Sequence, residues 1–217
     1  MCGIAGFYHK EKDYRERAEY YRSLLTAMHE ALWHRGPDDE GIYLSRHCGL
    51  AHSRLSIIDI QGGHQPMVRN KNGRTCAIVY NGELYNTKEL RQMLEIRGCQ
   101  FTTSSDTEVI LTGIMEMGPE FVKKMNGIFA FAIWDTDGQK LYLFRDPMGV
   151  KPLFYTWCGE ELIFASELKG IFAHPLPKPE VDRNGWNEIF GIGPARSGGC
   201  GVFKGVNEVL PGEYLVC

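Results

Sequence analysis

The chain has 217 residues, 43% hydrophobic and 24% charged, enough apolar mass for one large domain or two small ones with a real core. A formal net charge of −3 without a run of like charges offers no basic surface for nucleic acid or an anionic membrane. No apolar run nears the ~18 residues of a membrane-spanning helix and the N-terminus lacks the basic and apolar regions of a leader, so a cytoplasmic protein is expected.

Met1-Cys2-Gly3-Ile4-Ala5-Gly6-Phe7 alternates apolar with small residues and predicts a buried strand at the start of the chain. A charged stretch over 10–20 leads into a helix whose face carries Tyr21, Leu24, Leu25, Met28 and Leu32, broken at Gly36-Pro37. From Gly41 to Asp59 short strands are predicted, with Ile42, Leu44, Leu50, Leu55, Ile57 and Ile58 inward; 60–74, rich in glycine and proline, reads as a loop. Ala77-Ile78-Val79-Tyr80 reads as a strand ending at Asn81-Gly82, 87–97 as a helix closed by Gly98, and 106–117 as a helix capped by Ser105 or Asp106. A strand over 127–135 joins 141–144 through Asp137-Gly138 as a hairpin, and two more strands are expected at 153–157 and 162–165.

Pro175, Pro177 and Pro179 impose an extended, exposed passage, and 191–205 shows no assignable pattern. Residues 213–216 read as a short strand with no closing helix, as in a domain cut from something longer. Strands fall in two groups separated by a helical pair, not in regular alternation with helices. The expected fold class is therefore α+β, two antiparallel sheets with helices outside.

Cys2 has the greatest chemical potential. If Met1 is removed, one residue carries a thiol and a free α-amine whose ordinary pKa, roughly 7.7 to 8, leaves it partly neutral at physiological pH. An N-terminal amine activating its own side chain is a known route to nucleophilic catalysis and needs no histidine relay. Arg54 sits in an apolar strand; buried, it requires an anion, and exposed, it is an ordinary surface arginine. Asn81-Gly82 is either a type I′ turn or a carboxamide beside an unhindered N–H, a pair suited to stabilising an oxyanion. Glu83-Leu84-Tyr85-Asn86 fails to return as an alternating strand, which weighs against the turn. Capping alone accounts for Asp106. The seven cysteines are odd in number and show no C-x-x-C spacing, so neither a disulfide framework nor a metal site is suggested, and the histidines lack ligand spacing.

Six stretches follow one another along the chain: 1–7, His34-Arg35-Gly36-Pro37-Asp38, 51–59 around Arg54, Tyr80-Asn81-Gly82-Glu83-Leu84-Tyr85-Asn86, Ser105-Asp106-Thr107-Glu108-Val109 and 145–153. Together they resemble the glutaminase domain of glutamine-dependent asparagine synthetases, class II glutamine amidotransferases among the N-terminal-nucleophile hydrolases. The resemblance makes 1–217 one glutaminase domain and implies a four-layer αββα sandwich. It implies Cys2 as nucleophile with its freed amine as base, and Asn81 with the Gly82 N–H as oxyanion hole. Arg54 would pair with the α-carboxylate of glutamine, Glu83 and Asp106 would hold its α-ammonium, and backbone groups near Leu55 and Ile57 would line the same pocket.

The implied reaction is hydrolysis of glutamine to glutamate and ammonia through a γ-glutamyl thioester, with no metal or organic cofactor. ATP and Mg belong to a C-terminal synthetase domain, absent from these residues, that would make asparagine from aspartate. Glutamine and that domain are the implied partners, a homodimer is admissible, and neither nucleic acid nor membrane is expected. Competing readings are the glutaminase domain of another class II amidotransferase, serving sugar-phosphate or purine synthesis, or an inactive regulatory domain of this fold. Ser197-Gly198-Gly199-Cys200 looks like the synthetase domain's pyrophosphate loop, but Gly201-Val202-Phe203 stands where an aspartate is expected, so it reads as a loop near the domain's end. His34 and His52 belong to the family's motifs and receive no catalytic role.

Overall fold

A computed structural model describes residues 1–56, 59, 62–193 and 197–217. One sheet runs in the order β10 (Val206–Glu208), β8 (Phe154–Cys158), β9 (Glu161–Ala165), β1 (Gly3–His9), β3 (Cys48–Arg54) and β2 (Asp39–Leu44). The other runs β11 (Tyr214–Val216), β7 (Lys140–Arg145), β6 (Gly127–Asp135), β5 (Arg74–Leu84) and β4 (Met67–Lys71). Every strand pairing is antiparallel. The chain's first strand thus lies inside a sheet, which is why the terminus does not fray.

Side chains of a strand alternate between its faces, and both faces of the long central strands are buried. Along β5, Ala77 and Val79 enter a core between the sheets with Ile4, Leu50, Leu143 and Phe164. The intervening Cys76, Ile78 and Tyr80 face α2 (Thr87–Ile96) and α3 (Asp106–Met117), packing with Leu90, Leu94 and Ile110. On the far side α1 (Ala18–Glu30) lays Leu25 and Met28 over Phe7, Ala51 and Ile163, where the short α4 (Leu168–Phe172) also packs. Each large apolar side chain so buried contributes about 1.5–3 kcal/mol relative to exposure. The layers stack as helix, sheet, sheet, helix, the expected αββα sandwich. No helix among the described residues is long and apolar enough to cross a membrane.

The helices predicted after 10–20, over 87–97 and over 106–117 form as α1, α2 and α3, with Gly98 at φ +86° closing α2 and the Ser105 hydroxyl accepting the Thr107 N–H at the start of α3. Three expectations are corrected. The expected loop over 60–74 contains β4, an edge strand whose polar Arg69, Asn70 and Lys71 need no second apolar face. Leu55 is not an inward strand residue, because β3 ends at Arg54; Ile57 and Ile58 lie outside the described residues. Asn81-Gly82 does not end its strand: β5 continues to Leu84, with Asn81 opposite Ala130 and Gly82 opposite Phe129. Gly82 suits a strand here because a Cβ would lie 2.4 Å from the Ile128 carbonyl oxygen. Finally, α4, β10 and the turn of α5 (Arg183–Asn187) have no counterpart in the pattern reading, being too short to carry a period.

The motif at 145–153 proves to be a loop scaffold. The buried Asp146 carboxylate accepts N–H groups from Phe129, Met148, Val150 and Lys151, while Arg145 donates to the carbonyls of Gly149, Lys151 and Val209.

Candidate active site

Cys2 stands just before β1, held by its surroundings. The Leu55 N–H approaches its Sγ at 3.4 Å, and the Arg35 Nε donates to its carbonyl oxygen at 2.9 Å. Arg35 is in turn tied to Glu167 at 2.6 Å, so the His34-Arg35-Gly36 motif works as a clamp on the nucleophile's backbone. Two residues further on, Ile4 exchanges hydrogen bonds with Ser166 at 3.0 and 2.8 Å.

From there a cleft runs to the end of β5 and the start of α3. It brings together Cys2, Arg54, Leu55, Asn81, Gly82, Glu83 and Asp106, every predicted site residue that the structure describes; Ile57 lies outside the described residues. Both orientations of the β5 residues follow from strand geometry. Asn81 is in phase with Ala77 and Val79, so its carboxamide faces the sheet that carries Cys2. Tyr80 and Leu84 give their N–H groups to side chains, Gln65 Oε1 at 2.6 Å and Asp106 Oδ2 at 3.3 Å, on the edge away from β6. Gly82, midway between them, turns its N–H to that same edge.

Asn81 is 1% exposed, yet its Nδ2 has no hydrogen-bond partner among the described residues. A buried donor left unmade costs about 1–3 kcal/mol, and this one lies on the cleft wall, where a bound ligand can complete the bond. Arg54 is 5% exposed, which excludes the ordinary surface position. Its Nη2 donates to the Asp59 carbonyl at 2.6 Å and its Nη1 lies 3.7 Å from the Asp39 carboxylate, so the guanidinium is anchored with its charge at the cleft wall.

Asp106 is more than a cap. Its carboxylate accepts the Tyr80 hydroxyl at 3.0 Å and the N–H groups of Leu84 and Thr107. Burial pushes its pKa above the usual carboxylate value, although these hydrogen bonds oppose the shift. Glu83 is exposed on the cleft rim. Burial likewise raises the Cys2 thiol, against the opposing pull of the Leu55 backbone, the terminal ammonium, Arg54 and Arg35. The thiol therefore stays protonated at neutral pH and needs a base. The arrangement offers a nucleophile, two donors for a developing oxyanion, and cationic and anionic groups for a zwitterion.

Sequence reading assigned no role to Lys151, Gln65, Tyr80 or Arg35. Lys151 is only 8% exposed, lines the cleft, and has its Nζ 3.3 Å from the Met1 Sδ. Lys151, Tyr80 and Arg35 lay inside the motifs, which signalled them; Gln65 carried no signal. Among the described residues no group of three or more His, Cys, Asp or Glu side chains could hold a metal ion.

Residues 1–217 match the protein family described as glutamine amidotransferase domain. The chain belongs to that family. It is similar to asparagine synthetase [glutamine-hydrolyzing] 3 of Bacillus subtilis (strain 168), 46% identical over 99% of this chain and 34% of that protein. It is also similar to asparagine synthetase B [glutamine-hydrolyzing] of Escherichia coli (strain K12), 38% identical over 79% of this chain and 26% of that one. Among solved structures, the glutamine phosphoribosylpyrophosphate amidotransferase from B. subtilis complexed with ADP and GMP aligns with a TM-score of 0.66 over 84% of this chain and 46% of that one; at 22% identity it shows a shared fold. The chain spans 34% or less of these two synthetases' length. The family read from the ordered motifs is the one these comparisons give, and the amidotransferase fold accounts for both sheets and their helices.

Proposed function

We propose that this amidotransferase domain hydrolyses glutamine to glutamate and ammonia, with Cys2 as an N-terminal nucleophile, and that the ammonia serves asparagine synthesis from aspartate and ATP in a C-terminal synthetase domain. The observation that carries the reading is the buried Asn81 amide, left without a partner in the same cleft as Cys2.

With Met1 removed, the Cys2 α-amine takes the thiol proton and the thiolate attacks the side-chain carbonyl carbon of glutamine. Negative charge moves to the carbonyl oxygen, where Asn81 Nδ2 and the Gly82 N–H donate to it. The C–N bond breaks as the α-ammonium returns its proton to the leaving nitrogen, and ammonia departs. A water, deprotonated by the same amine, then cleaves the γ-glutamyl thioester and restores the thiol. Arg54 fixes the α-carboxylate, and Asp106 with Glu83 the α-ammonium, which orients the amide without entering the chemistry. No cofactor takes part in these steps; ATP and Mg act in the synthetase domain. A cytoplasmic location and a homodimer are compatible with this reading.

Asn81→Ala should lower the turnover number by roughly 10²- to 10³-fold with little change in KM, as expected when one oxyanion donor is lost. Steady-state assay of ammonia release tests it, and an unchanged rate would reduce Asn81 to a strand residue. Arg54→Lys should raise the glutamine Kd, because a point-like ammonium cannot reproduce a planar, two-pronged contact. Titration calorimetry on a Cys2→Ala background measures this directly; equal affinity in the two proteins would remove Arg54 from the carboxylate clamp.

A further inference from the structure

We propose that His52, with Gln65, is a positioning residue for the oxyanion hole, bracing the Tyr80 peptide so that Asn81 and Gly82 are aimed at Cys2; this rests on the glutaminase reading above. The site is assembled across two sheets: Cys2, Arg54 and Leu55 come from the ends of β1 and β3, whereas Asn81 and Gly82 come from β5. The interval between them must hold to a fraction of an ångström for the chemistry to run, yet two stacked sheets are joined mainly by apolar contacts that resist sliding weakly.

His52 is 0% exposed, in phase with Leu50, and so enters the space between the sheets. It pairs with Ile4 in the register of β1 and β3, two residues from the nucleophile. Its Nε2 lies 3.1 Å from the Tyr80 carbonyl oxygen on β5. A carbonyl only accepts, so Nε2 carries the proton, and Nδ1, which has no partner among the described residues, is the bare nitrogen. Burial holds the imidazole neutral by lowering its pKa to about 4.

The need for such a brace is local. Pairing between β4 and β5 stops at Met67 opposite Ile78, so no strand backbone reaches Tyr80 on that edge. Side chains replace it: Gln65 Oε1 accepts the Tyr80 N–H at 2.6 Å, and Gln65 Nε2 donates to the Thr107 hydroxyl at 3.2 Å. The Tyr80 hydroxyl is held by Asp106. Tyr80, the residue immediately before Asn81, is thus gripped at its N–H, its C=O and its side chain, with His52 holding the carbonyl of the peptide that leads into Asn81 and supplying the link to the nucleophile's sheet.

The test is steady-state glutaminase kinetics of the full, Met1-processed chain with His52→Leu, His52→Gln and Asn81→Ala, and of the double variants with Asn81→Ala. His52→Leu should lower kcat on the order of 10²-fold, the cost of misplacing reactive groups by about 1 Å, with KM for glutamine held. His52→Gln, whose amide can donate to the same carbonyl, should recover much of it. In the Asn81→Ala background His52→Leu should cost distinctly less, because of the two donors it positions only the Gly82 N–H remains. Unchanged kcat in folded His52→Leu, no rescue by glutamine, or an equal further loss without Asn81 would each overturn the brace. Should His52→Leu fail to fold, Gln65→Met strips the hydrogen bond from the N–H of the same residue, Tyr80, and must lower kcat with KM held and cost less in the Asn81→Ala background. Absence of hydrolysis by the wild-type chain, or an unimpaired Asn81→Ala, would instead overturn the glutaminase reading and the brace with it.

Discussion

Replacing Cys2 by alanine should abolish glutamine hydrolysis while leaving glutamine binding largely intact. In the proposed mechanism the thiol forms the covalent bond, and loss of the nucleophile in a cooperating catalytic set costs on the order of 10⁴- to 10⁶-fold in kcat. Binding survives because Arg54 and Asp106 are anchored independently of Cys2, the first through Asp59 and Asp39, the second through Tyr80, Leu84 and Thr107. Among the described residues the Sγ hydrogen-bonds to the Leu55 backbone, at 3.4 and 3.7 Å, so its removal costs the cleft few polar contacts. Glutamate production by the purified variant, with calorimetric titration of glutamine in parallel, decides the matter. Substantial residual turnover would remove Cys2 as nucleophile, and loss of binding together with activity would mean that the change had reshaped the pocket.

Retention of Met1 should be nearly as damaging as loss of the thiol. An amide nitrogen at Cys2 has no available lone pair, so the base disappears. Met1 also lines the cleft beside Lys151, where it takes up room at the reaction centre. Burial raises the thiol pKa, so in the unprocessed chain the reactive thiolate is scarce at neutral pH and grows only as pH rises toward that raised value. Alkylation of Cys2 by iodoacetamide should therefore be slow at pH 7 and accelerate into the alkaline range. In the processed chain, hydrolysis should gain an acid limb near the α-amino range of roughly 7 to 8, because activity requires the amine deprotonated. Activity should track the fraction of chains beginning at Cys2, read by intact-mass spectrometry, and rise in proportion on treatment with a methionine aminopeptidase. Full activity with Met1 retained throughout would refute the N-terminal-nucleophile mechanism.

Much of this molecule was decided within short windows of its chain. The periods and caps of α1, α2 and α3, and the apolar run of β6 returning through Asp137-Gly138 into β7, act over a few residues and were legible in the sequence. The order of the motifs likewise determined the family, since each motif is a local packing or chemical device, such as the Asp146 scaffold or the Arg35 clamp on Cys2. Only the tertiary structure decided the rest. Asn81-Gly82 has the composition of a turn, and what makes it strand is pairing with Ala130 and Phe129, some 47 residues away on β6. Arg54 carries no local sign of burial; the walls that enclose it come from Asp39, Asp59 and Gly63. β4 escaped notice because an edge strand needs no apolar alternation, and the grip of His52 and Gln65 on Tyr80 joins segments that no periodicity relates. Hydrogen-bond partners between sheets are set by how the layers stack, and that stacking is a property of the whole chain.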